Sequence, residues 1–493
     1  MRRQFPGKRW VGGAGGGRGK GREARYPPAP RKKPSSIMEK NQFKVGFVGF
    51  GEVNTPREFI DPRCKVAAEK LRKAGFTVLE TAPVSDDPEG VQADRAVAEL
   101  RAACIDALVV CVAGWIPSWA VTRVIEPFKG LPMLLWGLSG WRANGHFVTT
   151  ADQAGTTALR APLAAQGYRF KYLVDFKDSP TREAEAADYL AAVRADFNRR
   201  HQRSGMCGYR DMKLYGTLYH GNALKKHIGC EIEHFDLLEL VQLQEQIAEA
   251  EIAAAAKDLR AKWQFVREPQ PGTVENSVRL ALAMQKKIAQ RGYSGFSFCD
   301  VDGIKQYLKF APAGSLAYLH ELMALPTVPE NDSYGAVTEL IMRELAGGEV
   351  PMYMEFYEFT KDTALMGVPD YVPGSWVDAK VTVMPNAFGS FGEGLLNVSK
   401  LKTGPVTLAR LGEQPDGAFA IHATLANAQT PETWEEAGWA PPAPQLPTLE
   451  MHFGYSSDAF LEHVAGQHYI VSSGNQLAKL REYCKVTGID FIA

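Results

Sequence analysis

No run of apolar residues in this chain approaches the ~18 needed to span a bilayer, which excludes a helical membrane protein. The N-terminus shows no charged start followed by an apolar core and a small-residue cleavage site, so a cytoplasmic location is expected. A surplus of one charge is missing as well: Lys+Arg and Asp+Glu are 56 each. Without an excess positive field, neither nucleic acid nor an anionic membrane is an expected partner. Cys-x-x-Cys pairs are absent. The seven cysteines, Cys64, Cys104, Cys111, Cys207, Cys230, Cys299 and Cys484, are scattered singly. Several sit in apolar runs, as Cys111 does in ALVVCVAGW (107–115), and read as small buried hydrophobes in a reducing compartment. No internal repeat is evident.

One motif is broken rather than missing. GFVGFGEVN (46–54) stands at a strand end, where a dinucleotide-binding loop would stand, yet Asn54 occupies the place of the third glycine. The following TPREFIDP delays any helix with two prolines, so backbone cannot approach a pyrophosphate at a helix N-terminus in the usual way.

What is present is ordinary globular material: 493 residues, 45% apolar and 23% charged, too long for one core. Residues 1–37 are rich in Gly, Pro, Arg and Lys, and Glu23 is their one acid. They are expected to form a disordered basic tail, or to be an upstream extension of the frame before Met38. From Phe43, nearly continuous apolar strands alternate with amphipathic helices, a pattern that predicts a parallel sheet covered on both faces over 38–177. A second α/β unit over 178–347 opens with a helix at about 181–202. Its strands are expected at KLYGTLY, EIEHFD and GFSFCDV, with helices near 239–263 and 275–291. From 348 to 493 short strands and turns take over, with the proline-rich 441–447 as a surface connection. The fold class is thus α/β: two Rossmann-like α/β domains followed by a β-rich, barrel-like C-terminal domain.

The chemistry concentrates in TVPENDSYGAVTELIMRELAGGEVPMYMEFYEF (327–359). Glu330 lies where a helix opens, with Asn331, Asp332 and Ser333 as capping residues. Glu355 lies in a strand of Met, Tyr and Phe, where an ionised carboxylate is costly unless it is paired, metal-bound or on a wet face. On spacing alone, a helix cap and solvent-facing strand acids account for Glu330, Glu355 and Glu358. His468, in AGQHYIVSSG, taken alone reads as a hydrogen-bonded structural residue. Together Glu330, Glu355 and His468 offer two oxygen donors and one nitrogen, a hard set suited to Mn²⁺ or Mg²⁺ and lacking the thiolate of structural zinc.

The stretch PENDSYGAVTELIMRELAGGEVPMYME resembles the L-fucose isomerase segment in which a Glu in an E-N-D-S context begins a helix and an acid follows about one helix and half a strand later. Glu355 stands where fucose isomerases have Asp and arabinose isomerases have Glu, and GQHY is similar to the element supplying the third ligand in those families. The resemblance implies a metal-dependent aldose–ketose isomerase working through an ene-diol. It implies Glu330 and Glu355 as catalytic residues and Glu330, Glu355 and His468 as ligands of Mn²⁺, with Mg²⁺ or Co²⁺ as alternatives. A homo-oligomer is implied, a hexamer by family analogy.

Further sugar contacts carry over by position. Trp115 resembles the aromatic that walls the sugar site, from its own or a neighbouring subunit, with a buried loop Trp as the alternative. Tyr219 and His220 lie at a substrate-contacting strand end, and either has a structural alternative. Asp302 stands where fucose isomerases have Gln, Arg57 is a candidate whose alternative is a surface ion pair, and Gln467 flanks His468. Two departures leave the sugar open. The second metal-site His of arabinose isomerases has no counterpart, His422 and His452 lying much further on, and the aromatics that shape the fucose pocket are not identifiable. A catalytically inactive sugar-binding or regulatory protein of the same fold is the competing reading; a nicotinamide-dependent oxidoreductase is disfavoured by the broken glycine loop.

Overall fold

The parallel pattern expected from Phe43 onward is the first sheet of the computed structural model, which describes residues 43–367, 371–387, 392–431 and 448–493. The readings made for 1–37 and 441–447 lie outside the described residues. Five strands, β1 (Lys44–Phe50), β2 (Thr77–Glu80), β3 (Ala107–Val112), β4 (Met133–Gly137) and β5 (Phe170–Val174), pair in the order β2-β1-β3-β4-β5, all parallel. Alternate residues serve two cores. Val45, Phe47, Val109 and Cys111 pack with the helix Arg57–Lys73, while Val48, Phe50, Leu108 and Val110 pack with the helices Val91–Ala103, Ser118–Ile125 and Asp152–Ala165. Burial on both faces is why these strands read as continuous apolar runs. The glycines of 46–54 serve this packing: a side chain at Gly49 would collide with Cys64, and one at Gly51 with Ile60.

The second sheet has β6 (Arg203–Cys207), β7 (Glu231–Phe235), β8 (Gly295–Phe298) and β9 (Thr327–Val328) in the order β9-β8-β6-β7, again all parallel. Here one expectation is corrected. KLYGTLY is not a strand; Met212 and Lys213 take positive φ, and Tyr215–Thr217 form a single tight turn. The strand is instead RSGMC, hidden from a pattern reading because small residues are needed where it packs: a side chain at Gly205 would collide with the Tyr293 ring. The Ala/Glu-rich stretch is likewise two helices, Leu237–Glu245 and Glu249–Lys262, the first capped by Asp236 through the Leu238 N–H at 2.8 Å.

The C-terminal strands are β10 (Met352–Phe359), β11 (Thr363–Gly367), β12 (Gly404–Glu413), β13 (Phe419–Gln429), β14 (Thr448–His452), β15 (His468–Ser473) and β16 (Asp490–Ile492). They run in the order β12-β15-β10-β11-β14-β13-β16, and β12 also pairs with β13 from Gly404↔Ala428 to Glu413↔Phe419. Antiparallel pairing therefore runs in a ring through six strands, with β16 parallel on β13. The strand Thr382–Ala387 pairs instead with Gln264–Phe265 on one side and Glu393–Asn397 on the other, and the two place Val383 and Leu395 in the core of the second sheet.

Two helices bind the parts together, and the described residues belong to one compact unit. Glu183–His201 gives Tyr189 and Leu190 to the first core and Ala192 and Ala195 to the C-terminal one. Its Arg199 reaches the Tyr483 hydroxyl at 3.2 Å, and its Asn198 donates to Glu344 at 2.8 Å. Ser333–Leu345 lies between the second sheet and the strand ring, with Val337, Leu340 and Ile341 in one core with Met206, Val328, Leu408 and Ile470. Ser333 to Met342 are buried without a break, so the helix is enclosed on every side, and burying each of its large apolar side chains contributes about 1.5–3 kcal/mol. This packing fixes the N-terminus of that helix against strands β10, β12 and β15. Among the described residues no helix is long and apolar enough to cross a membrane.

Candidate functional site

Glu330 sits just past β9, at the carboxyl edge of the second sheet, and is 7% exposed. Its φ is +66° and that of Asn331 is +53°, so two successive non-glycine residues stand in the left-handed region. The chain then enters the helix Ser333–Leu345, whose N-cap is Asp332: its Oδ1 accepts the Gly335 N–H at 2.9 Å.

Glu355 and His468 come from neighbouring strands and are direct register partners across the β10–β15 ladder. Opposed residues of an antiparallel pair project from the same face, so residues 113 positions apart in sequence share one surface. Tyr353, two residues before Glu355, shares that face, and its ring stacks on the His468 imidazole at 4.4 Å and 24°. Glu330 approaches from the second sheet, its Oε2 3.7 Å from His468 Nε2. Gln467 Nε2 donates to Glu355 Oε1 at 3.2 Å and lies 3.5 Å from His468 Nε2. Glu330, Glu355, Gln467 and His468 therefore surround one spot at the seam between the second sheet and the strand ring. Among the described residues no group of three or more His, Cys, Asp or Glu side chains is drawn together as a metal ion would hold it; Glu355 is turned onto the Gln467 amide.

Behind these residues lies a buried polar network. Asp332 receives the Tyr353 hydroxyl at 3.0 Å and Arg410 Nη2 at 3.0 Å, with Arg410 Nη1 closing a second bond. Burial opposes ionisation of Asp332, but the facing Arg410 guanidinium prevails and holds its carboxyl below the usual range. Burial likewise works against the Arg410 charge, and the same pairing raises its pKa. Burial pushes the Tyr353 hydroxyl well up, so it remains a proton donor to Asp332. Arg410, Asp332 and Tyr353 together hold the ring on which His468 lies.

The remaining expected residues divide. Gln467 is at the site itself. Asp302 lies on a π-type helical turn, Asp300–Leu308, at the carboxyl end of β8; its N–H is bound by Asp211 at 2.7 Å and its carboxylate faces Lys213 at 3.8 Å. His220 caps the helix Gly221–His227, its Nδ1 accepting the Ala223 N–H at 3.1 Å, which is the structural role weighed for it. Tyr219 stacks on His234 at 6.0 Å. Arg57 and Trp115 lie at the carboxyl edge of the first sheet. Arg57 bonds the Pro83 carbonyl at 2.9 Å and pairs with Asp61 at 3.0 Å. Trp115 is held by its backbone to Glu52 and Thr150, both at 2.8 Å, with 39% of its surface exposed, so it is not the buried loop residue weighed as its alternative. Sequence reasoning missed Arg410, Tyr353 and Asp211. An arginine inside the apolar run GPVTLARLG was a signal for the first; nothing local marked the other two. No family model and no curated protein matches the chain.

Proposed function

We propose that the chain is a divalent-metal-dependent aldose–ketose isomerase of the L-fucose/L-arabinose isomerase type. The observation that carries this reading is the meeting of Glu330, His468, Gln467 and Glu355 at one spot, with Glu330 and His468 buried, Glu355 half-buried and Gln467 exposed. Two carboxylates and an imidazole are a donor set that Mn²⁺, Mg²⁺ or Co²⁺ accepts. The 3.7 Å from Glu330 to His468 suits two donors facing one ion, since ligands at about 2.2 Å on adjacent positions stand roughly 3 Å or more apart. Glu355 joins them by turning from Gln467, which leaves that amide for a sugar hydroxyl. When bound, the cation stabilises negative charge developing on the sugar's oxygen atoms.

The chain's own residues do the rest. One glutamate takes the proton from C2 of the open-chain aldose and a proton is returned at C1, while the O2 proton passes to O1, so the ene-diol collapses to the 2-ketose. Tyr353 fixes the plane of His468, and the burial of Glu330 and His468 limits the water that reaches that side of the site. On this reading the two parallel sheets are Rossmann-like units, the strand ring is a barrel, and the enzyme is a cytoplasmic homo-oligomer, a hexamer by analogy. Arg57 and Trp115 at the first sheet's edge then serve a sugar bound at a neighbouring copy's Glu330 site.

Incubating the protein with Mn²⁺ and a panel of aldoses, and scoring ketose, tests the reading. Turnover of at least one aldose is expected, with Glu330→Gln and Glu355→Gln each lowering kcat by about 10²-fold or more and leaving the circular dichroism spectrum unchanged. Absence of ketose from every aldose with Mn²⁺, Mg²⁺ and Co²⁺, or full activity in both variants, contradicts it.

A further inference from the structure

Two successive left-handed residues without glycine are strained, and such strain persists only where the surroundings hold it. At Glu330–Asn331 the holding group is the Asn331 side chain, 2% exposed. Its Nδ2 donates to the Cys207 carbonyl at 2.8 Å and to the Tyr209 carbonyl at 2.5 Å, at the carboxyl end of β6 and in the loop beyond. That loop is pinned in turn. Asp211, with no exposed surface, accepts the N–H of Val301 and of Asp302, both at 2.7 Å, and that of Met212 at 3.0 Å. The carboxyl ends of β9, β6 and β8 are thus tied in series by two buried side chains, with Glu330 at one end of the series and Asp302 at the other.

We infer that Asn331 and Asp211 are positioning residues that hold the Glu330 carboxylate toward His468 and fix Asp302 across the β6–β8 crevice before any ligand arrives. The tether stands on the geometry alone; its consequence for catalysis rests on the isomerase reading above. A capping role for residue 331 would need neither the left-handed backbone nor the two donated bonds, and the cap is in any case supplied by Asp332. Groups that orient a metal-binding or catalytic side chain are worth about 10–100-fold in affinity or rate.

The test uses the full chain in three variants: Asn331→Asp, which keeps the size but aims an oxygen at two carbonyls; Asn331→Gly, which accepts the left-handed backbone but lacks the tether; and Asp211→Asn. In the metal-free protein, hydrogen exchange over 327–335 and 207–212 is expected to rise in Asn331→Gly and Asn331→Asp, and over 300–303 in Asp211→Asn. With Mn²⁺, paramagnetic resonance is expected to show about ten-fold weaker binding in the Asn331 variants, and kcat to fall with KM little changed. Exchange in Asn331→Gly and Asp211→Asn matching the unaltered chain overturns the tether, as does undiminished Mn²⁺ affinity and kcat in Asn331→Gly. An unaltered chain that binds no Mn²⁺ and turns over no aldose sinks the isomerase reading instead, and the exchange measurement still decides the tether.

Discussion

The two parallel sheets each carry an Arg–Asp pair at the carboxyl edge, and the acids respond in opposite directions. At the first edge Arg63 divides its guanidinium among Asp152 at 2.6 Å, the Ser139 carbonyl at 2.6 Å, the Ala113 carbonyl at 2.5 Å and Thr150 at 2.9 Å. Burial of Asp152 outweighs that shared contact, and its carboxyl is raised. At the second edge Arg410 turns both terminal nitrogens onto Asp332, which also collects the Tyr353 hydroxyl and the Gly335 N–H, and the carboxyl is lowered. One arginine closes loops; the other sustains a buried anion beside His468 of the candidate site. The second edge is the one that the strand ring covers and supplies with Glu355 and His468, and on the isomerase reading the proton transfer takes place there.

Breaking the second pair has the largest expected effect on stability. Asp332→Asn leaves Arg410 buried without its counter-charge, which costs about 3–5 kcal/mol, read from urea unfolding at pH 7, and Mn²⁺ binding weakens with it. Asp152→Asn at the first edge is expected to cost about 1–2 kcal/mol and to leave Mn²⁺ binding unchanged. Acidity sharpens the contrast. A lowered folded pKa means that Asp332 contributes stability above the usual carboxylate range and loses it as pH falls toward the folded value. Asp152, raised, has the opposite sign: the folded state holds its proton longer, so its contribution declines as pH rises through and above the unfolded value. Asp332→Asn should therefore flatten the acid limb of stability against pH, and Asp152→Asn should steepen it.

A smaller effect is expected inside the strand ring. Burial depresses His422 to about 4, and His320 near the second sheet is depressed to about 4 by the same cause. Each is neutral when folded and protonates when unfolded below about 6.5, so stability falls as pH drops from 7 to 5, by about 1–2 kcal/mol per histidine. His422→Phe or His320→Phe should reduce that slope in thermal unfolding measured at both pH values. The smallest change in stability is expected from Arg57→Ala, which removes an exposed ion pair worth about 0–1 kcal/mol; on the isomerase reading it raises KM for the sugar while Mn²⁺ binding is unaltered.

Much of the fold was legible because doubly buried strands such as ALVVCV announce themselves by continuous apolarity. RSGMC was not, since Gly205 is small for a reason that lies in the Tyr293 ring, 88 residues beyond it. Glu355 stood out as an acid in costly surroundings, Glu330 as an acid where a helix opens, and Asp332 among the capping residues of that helix. What held them was hidden: Arg410 meets Asp332 across 78 residues, and Asn331 meets Cys207 across 124. Contacts of that span leave no local periodicity to read.

The most direct test of the account is a Mn²⁺ titration of the unaltered chain beside Glu330→Gln, Glu355→Gln and His468→Gln. The account predicts one saturable ion per chain, with each substitution weakening it markedly and Arg57→Ala leaving it unchanged. No saturable binding, or equal binding by all five proteins, would contradict it.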